Sequence, residues 1–147
     1  MNPLSILMVE DNREDEMLTL RSLQKAHLGN AVDVVRDGQQ ALDFLFREGE
    51  FQDRPGTDLP AFVLLDLGLP RLGGLDVLAR IRADPRTSTL PVVIFTSSSE
   101  EEDRLASALR GANSFVRKPI EFAAFAERVA RLGIYWLAVN EPQPPRR

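Results

Sequence analysis

Apolar residues arrive along this chain in two rhythms: short unbroken runs, and longer stretches in which they recur every third or fourth position. The short runs fit strands buried on both faces, and the longer rhythm fits amphipathic helices. Leu4 to Val9 is predicted as the first strand, running into the acids Glu10 and Asp11. Glu14 to Lys25 is predicted as a helix with Met17, Leu18, Leu20 and Leu23 as its apolar positions, stopped by Gly29 and Asn30. Val32 to Val35 follows as the second strand, Gly38 to Phe46 as the second helix carrying Ala41, Leu42 and Leu45, and Glu48 to Pro60 as a loop. Ala61 to Leu65 is the predicted third strand, ending at Asp66. Pro70, Gly73 and Gly74 mark a turn before a helix from about Leu75 to Ile81. Pro91 to Phe95 is the fourth strand, ending at Thr96. The hydroxyls and acids of Ser97 to Glu102 suit the start of a fourth helix running to about Leu109. A short fifth strand, Ser114 to Val116, ends near Lys118, and a fifth helix from about Ile120 carries Phe122, Phe125, Val129 and Leu132 on one stripe.

Five alternations of strand and helix predict an α/β fold, a doubly wound five-stranded parallel sheet with helices on both faces. At 147 residues the chain suits one core. Residues 1–140 are expected to form that single domain, and 141–147, with three prolines, an extended tail.

Composition narrows the chemistry. Lys and Arg number 18 against 22 Asp and Glu, a net charge of −4, with no clustered basic residues, so no nucleic-acid partner is expected. The absence of cysteine excludes disulfides, thiol nucleophiles and thiolate-held metals, and the single histidine, His27, is expected to be an ordinary surface residue. The opening MNPLSILMVEDN meets acids too early for a signal peptide or a spanning helix, so a cytoplasmic location away from membranes is expected.

The predicted strand ends bring distant residues together: Glu10 and Asp11, Asp66, Thr96 and Lys118. Open α/β sheets bind ligands at the carboxyl ends of their strands. Three carboxylates there repel each other, and a hard divalent cation, Mg²⁺ above all, is the usual remedy. A lysine and a threonine hydroxyl aimed at the same point supply donors for an anion, and the set suits phosphoryl transfer to an acid. Each residue alone has a plainer role: Asp66 as a turn former, Lys118 as a solvated cation, Thr96 as a helix cap and Phe115 as a core residue. The acidic run Glu100 to Asp103 suits a solvated first helical turn. A nucleotide- or flavin-binding protein would need a glycine- or hydroxyl-rich loop where this chain has Glu10-Asp11-Asn12-Arg13. A phosphatase of the aspartyl-phosphate type would need a second Asp at Gly68.

Glu10-Asp11, Leu64-Leu65-Asp66, Leu69-Pro70, Gly73-Gly74, Pro91 to Ser97 and Lys118-Pro119 together resemble the receiver domain of two-component response regulators, over roughly Leu4 to Leu132. The ending Gly133 to Leu137, the long loop after the second helix and the lack of an output domain further resemble the stand-alone regulators that accompany bacterial phytochrome kinases. The resemblance implies a flavodoxin-like (βα)5 fold and a single-domain regulator that is not an enzyme in the usual sense, although it catalyses its own phosphorylation and dephosphorylation. It also implies that Asp66 accepts a phosphoryl group from a sensor histidine kinase, with a bacteriophytochrome as that kinase and a phosphotransfer protein downstream. Asp11 and Asp66 would ligate Mg²⁺ directly, Glu10 mostly through water, and Gly68 through its backbone carbonyl. Lys118 would pair with a phosphoryl oxygen, Thr96 would donate to another, and Phe115 would be the aromatic switch. The Lys118-Pro119 bond would be cis. The alternative is a receiver-like interaction module that works without phosphorylation. Finally, Ile134, Tyr135, Trp136, Leu137 and Val139 form an apolar run with no polar break, which predicts a homodimer interface.

Overall fold

The computed structural model describes residues 5–25, 32–54, 59–69, 72–96 and 114–117, with backbone alone at 96 and 114–117. In chain order the elements are β1 (Ile6–Val9), α1 (Arg13–Lys25), β2 (Val32–Val35), α2 (Gly38–Phe46), β3 (Phe62–Asp66), α3 (Gly74–Ala83), β4 (Val92–Thr96) and β5 (Ser114–Arg117). The predicted fourth and fifth helices, the stop at Gly29-Asn30, and the tail lie outside the described residues.

All five strands run parallel in the order β2-β1-β3-β4-β5. Side chains alternate across a strand, and here both faces are covered. Leu7 and Val9 of β1, Val63 and Leu65 of β3, and Val92 and Ile94 of β4 pack with α2 and α3. Ile6 and Met8, Phe62 and Leu64, and Val93 and Phe95 face the other way, toward Leu23 of α1. That is why these strands are unbroken apolar runs rather than alternating ones.

The element bounds agree with the expected ones to within a few residues, and the differences lie at the ends. β3 and β4 each reach one residue further, so Asp66 and Thr96 belong to the strands. α3 continues to Ala83 because its last turn is tied to the next segment of chain: the buried Thr87 hydroxyl donates to the Ile81 carbonyl at 2.6 Å. The expected loop after α2 contains a one-turn 3-10 helix, Gly49–Phe51. It is tied down by an edge-on contact between the Phe44 and Phe51 rings, centroids 5.2 Å apart, and by the Arg54 guanidinium lying 4.2 Å over Phe44. Burial, with Arg47 close by, pushes the Arg54 pKa down.

α1 departs from its expected stripe. Leu23 is fully buried and Leu20 partly so, but Met17 is 58% and Leu18 39% exposed, and the sheet-facing positions are completed by Thr19 and Ser22. The Thr19 hydroxyl donates to the Asp15 carbonyl one turn back, at 2.8 Å, which removes the penalty for burying it. Among the described residues no helix is long and apolar enough to cross a membrane.

Candidate functional site

β1 and β3 are neighbours, paired from Ile6 with Phe62 to Val9 with Leu65. One step further along the same register, Glu10 stands opposite Asp66. Both continue the α1-facing parity of their strands, so two carboxylates leave the sheet side by side at its carboxyl edge. Asp11 joins them from the turn into α1. Carboxylate oxygens of Glu10, Asp11 and Asp66 lie within 4.8 Å of one another. Glu10 is fully buried, Asp66 is 7% exposed, and Asp11 is open to solvent.

The backbone around these acids is held closely. The Glu10 N–H donates to the Val35 carbonyl at 3.0 Å, fixing the end of β1 to β2. The Asn12 N–H donates to Glu10 Oε2 at 3.2 Å, and the Asn12 side-chain oxygen accepts the Asp15 N–H at 2.9 Å, capping α1. At β3 the Gly68 N–H donates to Asp66 Oδ1 at 3.0 Å, and the Leu67 N–H donates to the Phe95 carbonyl at 2.9 Å.

The two glycines that open α3 do different work. A side chain at Gly74 would bring a Cβ within 2.7 Å of both the Asp66 carbonyl oxygen and Leu67 Cα, whereas at Gly73 the nearest atom would be an Asp76 carboxylate oxygen 3.9 Å away. α3 therefore begins directly against the backbone of Asp66, and only glycine permits that approach.

The donor set fits a hard divalent cation. Mg²⁺ takes oxygen ligands at about 2.0–2.1 Å, so oxygens sharing one ion stand about 3–4 Å apart. Three carboxylate oxygens within 4.8 Å reach that spacing by small side-chain rotations.

Thr96, the last residue of β4, pairs with Arg117 of β5, and Phe115 pairs with Ile94, so the backbone brings β5 beside the strand that ends at Thr96. Lys118, Pro119 and the run 134–139 lie outside the described residues. Two contributors were missed in the sequence: Asn12, legible in hindsight as a capping residue directly after the acids, and Arg36. The contacts of Arg36 join residues 26 and 20 positions away, for which a single sequence carries no local signal.

The family model described as "Response regulator receiver domain" matches residues 6–130. A solved structure, "Bacteriophytochrome response regulator RtBRR", is 48% identical with a TM-score of 0.84, covering 96% of this chain and 85% of that one. "Response regulator Rcp1" of Synechocystis sp. (strain ATCC 27184 / PCC 6803 / Kazusa) is 33% identical over 92% of this chain and 90% of its own length. Its Mn²⁺-bound structure superposes with a TM-score of 0.74 at 31% identity, covering 98% of this chain and 100% of that one. "Probable methanogenesis regulatory protein FilR2" of Methanothrix harundinacea (strain 6Ac) is 34% identical over 98% of this chain and 90% of its own length.

Proposed function

This chain belongs to the response regulator receiver domain family, and from that premise we propose that it takes a phosphoryl group from a sensor histidine kinase onto Asp66 in a Mg²⁺-dependent reaction. The observation that carries the proposal is the meeting of Glu10, Asp11 and Asp66 within 4.8 Å at the carboxyl edge of the sheet. A carboxylate oxygen of Asp66 attacks phosphorus, the P–N bond to the kinase imidazole breaks, and an acyl phosphate forms as the imidazole leaves with its electron pair and takes up a proton. Asp11 and Asp66 would hold Mg²⁺ directly, and the Gly68 carbonyl would add an oxygen. Glu10, one methylene longer than Asp, would act through water. When bound, the ion offsets the negative charge that gathers on the transferring group.

The chain's own groups complete the work. Lys118 pairs with one phosphoryl oxygen, and Thr96 donates to another at the end of β4. Drawing Thr96 inward vacates space for Phe115, which turns phosphorylation into a change of surface. Gly68 brings no side chain over the acyl phosphate, and in self-dephosphorylation a water attacks phosphorus, the P–O bond to the Asp66 carboxylate breaks, and inorganic phosphate leaves. The likeness to a bacteriophytochrome response regulator favours a bacteriophytochrome as the kinase, and we add to the proposal a cytoplasmic setting and a phosphotransfer protein downstream.

Beryllofluoride, which mimics a phosphoryl group, tests the site and the switch together. With Mg²⁺ it should shift the amide resonances of residues 114–117 in the parent and leave them unmoved in Asp66→Asn. Thr96→Ala and Lys118→Ala should keep phosphoryl acceptance but lose most of that shift. Parent-like responses in all three variants would remove the proposal.

A further inference from the structure

Resting on the magnesium site proposed above, we propose that Arg36, neutralised by Glu16, is a positioning residue for the acidic turn that holds the cation. Arg36 lies between β2 and α2, outside the cluster of acids. Its Nη1 donates to the Glu10 carbonyl at 3.3 Å and to Glu16 Oε1 at 2.6 Å. Its own N–H donates to Gln40 Oε1 at 2.7 Å, which anchors the arginine to the first turn of α2. Glu10 is thus gripped at both ends of its backbone, the N–H by Val35 and the carbonyl by Arg36. That carbonyl belongs to the peptide joining Glu10 to Asp11, so its orientation sets where the Asp11 carboxylate emerges.

The charge on Arg36 would by itself oppose a cation. Glu16 removes that difficulty, because the ion pair is half-buried, with side-chain exposures of 36% and 16%, and carries no net charge. Glu16 also sits in the acidic first turn of α1, the helix that starts directly after Asp11 and Asn12. One nitrogen therefore ties three segments, the end of β1, the start of α1 and the β2–α2 turn, around the ligand-bearing peptide.

The sign of a single substitution separates positioning from bulk electrostatics. Arg36→Gln deletes a positive charge hydrogen-bonded to the backbone of one of the clustered acids, and charge alone would make Mg²⁺ bind more tightly. Loss of positioning makes it bind more weakly, by about tenfold, the usual cost of removing a group that orients a ligand. Titration of the metal-free protein with MgCl₂, followed by amide NMR, should therefore show weaker binding in Arg36→Gln and substantial recovery in Arg36→Lys, which keeps a cationic donor. In the folded, metal-free Glu16→Gln variant, the amides of Asp11 and Asn12 should exchange with solvent faster than in the parent. Unchanged or tighter Mg²⁺ binding in Arg36→Gln overturns the assignment, as does a lowered unfolding midpoint with parent-like affinity. If Arg36→Gln fails to fold, parent-like exchange in Glu16→Gln overturns it instead. A parent that binds no Mg²⁺ overturns the site proposal itself, and the positioning role with it.

Discussion

At the scale of single residues, two adjacent glycines have opposite expected tolerances. Gly74→Ala would drive a methyl group to 2.7 Å from the backbone of Asp66 and Leu67, so α3 or the end of β3 must move. We expect a loss of about 1–3 kcal/mol in urea unfolding, accompanied by weaker Mg²⁺ binding. Gly73→Ala should leave Mg²⁺ binding within error and cost less stability than Gly74→Ala, because a Cβ there has room, although alanine is the poorer helix cap. The pair was legible in the sequence as a turn, but which glycine is obligatory was not, since the answer depends on how closely α3 approaches a strand end eight residues earlier. The acids were legible for a simpler reason. Each follows an apolar run that reads as a buried strand, and parallel strands place their carboxyl ends together.

Between elements, local pattern and tertiary context part company at α1. Met17 and Leu18 were indistinguishable from core residues by composition, yet the helix turns Thr19 and Ser22 inward, where a backbone hydrogen bond satisfies at least Thr19. α2 and α3 show the reverse case of a contact that depends on having no side chain: a Cβ at Gly38 would clash with the Leu72 carbonyl oxygen and come within 2.7 Å of Val77 Cγ2 of α3. Gly38→Ala should lower stability by about 1–3 kcal/mol without altering phosphoryl acceptance, since Gly38 lies outside the acidic cluster. After α3, hydrogen bonds from the Arg86 side chain and backbone hold the Asp84 carboxyl below the usual carboxylate range. Because its pKa is depressed in the folded state, whatever this exposed pair contributes is present at neutral pH and lost only as acid takes the pH down through that lowered value. NMR titration of the Asp84 carboxyl should show a midpoint that rises toward the ordinary range in Arg86→Ala.

For the whole molecule, the five alternations predicted a doubly wound parallel sheet, whereas the order β2-β1-β3-β4-β5 came from the structure, since alternation alone is compatible with more than one order. Assembly is a separate matter. Ile134, Tyr135, Trp136, Leu137 and Val139 lie outside the described residues, and from the unbroken apolar run they form in the sequence we propose a homodimer. Sedimentation at tens of micromolar should show a dimer that Trp136→Glu converts to monomer while phosphorylation at Asp66 persists. A monomeric parent in both phosphorylation states would contradict it. Neither outcome bears on the chemistry, which rests on the three carboxylates and is tested most directly by intact-mass spectrometry after incubation with a small-molecule phosphodonor. The parent should gain a single phosphoryl group with Mg²⁺ and none with chelator, and the nearly isosteric Asp66→Asn should gain none under either condition. An Asp66→Asn protein that labels as fully as the parent would mean that the acceptor lies elsewhere.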